Sequence, residues 1–146
     1  MNNITWILVA DAANARIFST HKASLFNGDG KTLTLVDTYE HSASRKLDSE
    51  LVSDKQGRFG HATFSERTDP HKHEEDVFAL ELAKHLIKAH AENEYQELIF
   101  IAPPTFMGML NKHITSQLNK IVSLKVEKNY TQCNAHEITE RLQEHL

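Results

Sequence analysis

Seven consecutive residues, Ile4-Thr5-Trp6-Ile7-Leu8-Val9-Ala10, are almost all apolar and rich in β-branched or aromatic side chains. A strand with one wet face alternates apolar and polar residues, whereas a run without alternation fits a central strand covered on both faces. Such a strand demands a layer on either side of its sheet, and the rest of the chain has to supply both. Glu97-Leu98-Ile99-Phe100-Ile101-Ala102 is a second run of this kind, closed by Pro103-Pro104. Both are strand-sized, far short of the ~20 residues that cross a bilayer as a helix.

Around these two runs the other elements can be placed. Asp11-Ala12-Ala13-Asn14 offers turn residues before a second strand, Ala15 to Thr20. The turn signal Asn27-Gly28-Asp29-Gly30 precedes a third, Leu33 to Tyr39, so the first three strands read as an antiparallel meander. Thr68-Asp69-Pro70 opens a helix expected to reach about Ala91, with Asp69 at the N-cap, Pro70 at the first helical position and Phe78, Leu82 and Leu86 as its core stripe. A helix with the stripe Phe106, Leu110, Ile114, Leu118 and Ile121 follows the fourth strand, and Thr115 is placed to cap a second segment of it. Ser123 to Glu127 is more polar and reads as an edge strand. Asn134 with Glu137 three residues on has the form of a capping box, and Ile138, Leu142 and Leu146 stripe the last helix.

The order is β-β-β-α-β-α-β-α. Strands entered through helical crossovers pair in parallel with right-handed connections, so a single α/β domain over residues 1–146 is expected, with a mixed five-stranded sheet and helices on both faces. This is the element order of ribonuclease-H-like architectures. Between the third strand and the first helix, residues 41–68 have neither strand nor helix periodicity; so long an irregular connection in a compact domain reads as a functional, mobile loop.

Composition narrows the function classes. A net charge of −4 argues against a protein that coats nucleic acid through a broad basic surface, and neither DNA nor a membrane is expected as a partner. The N-terminus lacks a basic segment followed by a long apolar run and a small-residue cleavage site, and Cys133 is the only cysteine. Both features fit a cytoplasmic protein.

No complete catalytic set emerges. Two-metal nuclease chemistry needs several converging carboxylates. Asp11 and Glu74, Glu75 or Glu81 could contribute, but the fourth strand ends in Ala102-Pro103-Pro104, and Asp11 reads more simply as a turn residue. His61, His71 and His73 with Asp69 and Glu74 have the donor types of a transition-metal site. At two-residue spacing on a helix, however, His71 and His73 face apart, and only His71 and Glu75 share a face. No metal is assigned. Gly-rich phosphate cradles and nucleophile elbows are missing, so no cofactor is expected and the balance leans away from an enzyme.

Taken together, Trp6-Ile7-Leu8-Val9-Ala10 with Ala15-Arg16-Ile17-Phe18, Asp48-Ser49-Glu50-Leu51-Val52-Ser53-Asp54, Gly57-Arg58-Phe59, Thr68-Asp69-Pro70, Ala102-Pro103-Pro104, Phe106-Met107-Gly108 and Leu110 to His113 resemble the bacterial proteins described as required for attachment to host cells. The resemblance covers nearly the whole chain. That family is in turn similar to the middle domain of eukaryotic and archaeal class I peptide release factors, where a mobile loop after the third strand carries Gly-Gly-Gln into the ribosome. The equivalent stretch here is Lys55-Gln56-Gly57-Arg58-Phe59-Gly60-His61-Ala62, with Phe59 in place of the first glycine and His61 in place of the glutamine.

The resemblance implies a cytoplasmic binding module that engages RNA or the ribosome through residues 41–68, with Gly57, Arg58, Gly60, His61 and Arg67 as candidate binding residues. Two other readings stay open. One is an interaction protein acting on host attachment, directly or indirectly; the other is an ester hydrolase of the peptidyl-tRNA type with His61 as its candidate catalytic residue. Oligomeric state is not legible.

Overall fold

The computed structural model of the chain describes residues 3–21, 23, 33–41 and 70–145. Its strands are β1 (Ile4–Ala10), β2 (Asn14–His21), β3 (Thr34–Glu40), β4 (Glu97–Ile101) and β5 (Val122–Val126), and its helices are α1 (Pro70–Ala91), α2 (Pro104–His113), α3 (Ser116–Ile121) and α4 (Ala135–Gln143). They form one α/β domain whose five-stranded sheet has the order β3-β2-β1-β4-β5. β1 pairs antiparallel with β2 and parallel with β4, β2 pairs antiparallel with β3, and β4 pairs parallel with β5. The mixed sheet with helices on both faces is as the element order predicts. The expected mobility of residues 41–68, the N-cap Asp69 and the turn at Asn27-Gly28-Asp29-Gly30 lie outside the described residues, apart from His41.

The unalternating run of β1 does what its composition requires. Trp6 and Leu8 join one core with Phe78, Leu82 and Leu86 of α1 and Phe106 and Leu110 of α2. Ile7 and Val9 point the other way, into a core with Ile99, Ile101, Val126 and Ile138 and Leu142 of α4. Ile7, Leu8, Val9 and Ala10 are completely buried. The first core is braced by Tyr95, whose ring stacks on Trp6 at 4.6 Å and whose hydroxyl donates to the Leu86 carbonyl at 2.6 Å. Burial pushes that phenol far above its ordinary pKa, so it donates at every physiological pH.

Local signals set the helix ends. α1 stops where Asn93 takes φ 60°, with Glu94 N–H donating to Ala89 O and Asn93 N–H to His90 O, both at 3.0 Å. This is a Schellman closure with Asn in the left-handed position that usually takes Gly. Thr115 breaks the second helical stretch as its sequence suggests, its hydroxyl accepting from Leu118 N–H. Asn134 and Glu137 complete a reciprocal capping box at α4.

Both outer strands are edges, but β3 is the more exposed. A register shift between Ile17 and Phe18 lets β3 bulge, and Leu35 and Val36 are 53% and 41% exposed. Leu33 is buried, while Leu35 and Val36 belong to neither core.

Phe78→Ala and Leu82→Ala should each destabilise the domain by roughly 2–5 kcal/mol, because both side chains are buried in the α1 stripe and truncation leaves a cavity. Chemical denaturation reads this directly; midpoints equal to wild type would contradict the packing of α1 against β1.

Candidate binding end of the sheet

β1, β4 and β5 run in parallel, and at their carboxyl ends the chain also turns from β1 into β2 and leaves β3. The polar side chains collect at this end. Asp11 makes the first turn: its Oδ1 accepts from the N–H groups of Ala13 and Asn14 at 2.9 and 2.8 Å, the Asx turn its position suggests. Its Oδ2 accepts from the Thr131 hydroxyl at 3.0 Å, tying the turn to the connection between β5 and α4. Asp11 is thus a structural acceptor.

Arg16 lies on β2, between the buried Ala15 and Ile17 and facing the α4 side of the sheet. Its Nη2 donates to three main-chain carbonyls, Tyr130 at 3.3 Å, Thr131 at 2.8 Å and Cys133 at 2.6 Å. One guanidinium thereby fixes the whole turn before α4. Its carbon centre also sits 5.4 Å from the Phe18 ring. All three partners are neutral, and among the described residues no carboxylate lies within ion-pair distance of the guanidinium.

That cleft has a volume of about 220 Å³ and is lined by Val9, Asn14, Ala15, Arg16, Thr38, Thr131 and Gln132. Val9 pairs with Arg16 and Arg16 with Thr38, so the three form one row across β1, β2 and β3 as its floor. Thr131 and Gln132, held by the Arg16 and Asp11 contacts, belong to its wall.

Two histidine–carboxylate contacts close the opposite side of the same end. His41, the first residue after β3, stacks on Phe78 of α1 with ring centroids 5.1 Å apart, and its Nε2 lies 2.9 Å from Glu74 Oε1. Its main-chain N–H donates to Ala13 O at 2.8 Å. The residue just before 42–69 and the helix just after it are therefore joined. Further along α1, Asp76 Oδ1 meets His113 Nε2 at 2.9 Å and Lys112 Nζ at 3.0 Å, fastening α1 to the end of α2.

Of the residues singled out from sequence, Gly57, Arg58, Gly60, His61 and Arg67 lie outside the described residues. Among the described residues no three His, Cys, Asp or Glu side chains are grouped to hold a metal, and His73 is exposed. Arg16, His41 and His113 were not anticipated. An arginine between the apolar Ala15 and Ile17 of β2 was the available signal for the first.

Burial alone would raise the Asp76 carboxyl, but the His113 and Lys112 hydrogen bonds outweigh it and hold the group below the usual carboxylate range. A carboxyl lowered on folding contributes stability above its unfolded pKa and loses it as pH falls through the folded value. Asp76→Asn should therefore lower the denaturation midpoint most near pH 7, and the gap to wild type should close as acid protonates Asp76. A gap that is constant from pH 7 to pH 3 would count against the staple.

A family model described as "Protein required for attachment to host cells" matches residues 6–142. The chain is also 30% identical over 134 residues to an uncharacterised protein of Rickettsia prowazekii (strain Madrid E), a match spanning 88% of this chain and 85% of that one. Among solved structures, a Ppx/GppA phosphatase of Aquifex aeolicus in its type II variant aligns with 86% of this chain at 9% identity and a TM-score of 0.44. The chain spans 35% of that phosphatase.

Proposed function

The chain belongs to the family of proteins required for attachment to host cells, and from that premise we propose that it is a non-catalytic cytoplasmic binding module that engages RNA or the ribosome at the carboxyl end of its sheet. The observation that carries this reading is the His41–Glu74 contact, which ties the residue before 42–69 to the helix that follows. A stretch held at its base by a rigid scaffold is the usual way loops are made to bind. Residues 42–69 contain Arg58 and His61, and in this reading Arg58 contacts phosphate through its planar fork while His61 supplies a hydrogen bond. Gly57, Gly60 and Arg67 complete the contact stretch.

The family description favours a second reading, in which the protein influences attachment through a protein partner. Detection of the chain on intact cells would favour that reading. Ester turnover lost on changing His61 would instead point to a peptidyl-tRNA-type hydrolase.

Ribosome pelleting across a salt series tests the proposal. Wild type should co-sediment and release progressively as salt rises, because phosphate contacts displace counterions. Arg58→Ala and His61→Ala should pellet less while melting at the wild-type temperature. Equal pelleting by all three, or none by any, would overturn the RNA reading.

A further inference from the structure

We propose that the cleft on the α4 side of β1 and β2 is a binding site for a phosphate group, with Arg16 as its anion-binding residue. This site lies within the described residues and stands independently of the part assigned to Arg58 and His61. Three observations converge on it.

The first is charge. Arg16 is half-buried, and its hydrogen-bond partners are carbonyl oxygens, which orient a guanidinium without neutralising it. Only Nη2 is used by them; among the described residues Nε and Nη1 have no acceptor. Both two-donor forks of a guanidinium include Nη2, so the N–H groups left on Nε and Nη1 each offer a phosphate oxygen a single charge-assisted hydrogen bond. The neighbouring carboxylate, Asp11, turns its oxygens to Ala13 N–H, Asn14 N–H and the Thr131 hydroxyl and makes no direct ion pair with Arg16.

The second is preorganisation. The Arg16 side chain is fixed at its far end by the 130–133 turn, and that turn is fixed again by Asp11. A bound anion would therefore meet a guanidinium whose rotamer freedom has already been given up in folding, which removes a large part of the ordering cost of binding.

The third is shape and lining. About 220 Å³ is below the usual range of drug-sized sites, roughly 300–1,000 Å³, and suits a phosphorylated sugar or one terminal nucleotide residue. Thr38, Thr131, Gln132 and Asn14 bring hydroxyl and amide groups to the wall, and Val9 is the apolar side chain on the floor. Such a lining recognises a polar, hydroxylated molecule bearing one anionic group.

The phosphate could come from a free phosphorylated sugar or from the end of an RNA strand, and one experiment separates the two. Amide and arginine side-chain NMR spectra of the full chain are followed during titration with inorganic phosphate, ribose 5-phosphate, ribose, and a short oligoribonucleotide with or without a 5′-phosphate. The Arg16 Nε–H signal and the amides of Thr38, Thr131 and Gln132 should shift with a phosphorylated probe and not with ribose; whichever phosphorylated probe saturates at the lowest concentration identifies the source.

Thr38→Glu supplies the control. It sets a carboxylate directly opposite Arg16 on the neighbouring strand, an arrangement that stabilises a sheet while competing for the remaining guanidinium N–H groups and offsetting their charge. It should weaken binding at least ten-fold with an unchanged melting temperature. Arg16→Lys should weaken it as well. Absence of localised shifts with every phosphorylated probe, or shifts in Thr38→Glu equal to those of wild type, would overturn the proposal. Neither result would touch the reading based on Arg58, whose pelleting assay uses other residues.

Discussion

Everything in this domain follows from hiding β1 on both faces. Trp6 and Leu8 need one apolar layer and Ile7 and Val9 another, and neither demand is met by the meander that the strand starts. The chain meets them with two crossovers. α1 and α2 close over the Trp6 side, α4 closes over the Ile7 side, and β4, itself an unalternating run, takes its place beside β1 in parallel because a helix intervenes. Once the centre is dry on both faces, main-chain and side-chain polarity is displaced to the ends of the strands, where it needs partners of its own.

At the carboxyl end those partners are few and each is used more than once. Asp11 satisfies two main-chain donors and a hydroxyl; Arg16 satisfies three carbonyls of the 130–133 turn. The same two residues fix the wall of the cleft. Structural necessity and binding capacity thus coincide in Arg16, because carbonyls satisfy its geometry but leave its charge.

What could be read from the sequence divides along the same line between local and distant. The dry strands were visible because Ile4 to Ala10 and Leu98 to Ala102 do not alternate. The caps at Thr115 and Asn134 and the Asp11 turn were visible because donor and acceptor sit two or three residues apart. Arg16 was not, since its acceptors are 114 to 117 residues away, and the same holds for His41 with Glu74 and His113 with Asp76, which are 33 and 37 apart. Pattern carries no information about which distant carbonyl an arginine will find. The exposure of Leu35 and Val36 on β3 is out of reach of the sequence for a related reason, since it depends on the bulge opposite Phe18, a tertiary feature.

The account turns on Arg16 holding the 130–133 turn and so building this end of the sheet. Hydrogen exchange on Arg16→Gln measures that directly, residue by residue. If the account is right, the Thr131 N–H, bonded to Asn129 Oδ1, and the Cys133 N–H, bonded to Tyr130 O, exchange faster in the variant, while the β4 amides of Ile99 and Ile101 keep their wild-type protection. Unchanged exchange at Thr131 and Cys133, or an equal loss of protection throughout the domain, would contradict it.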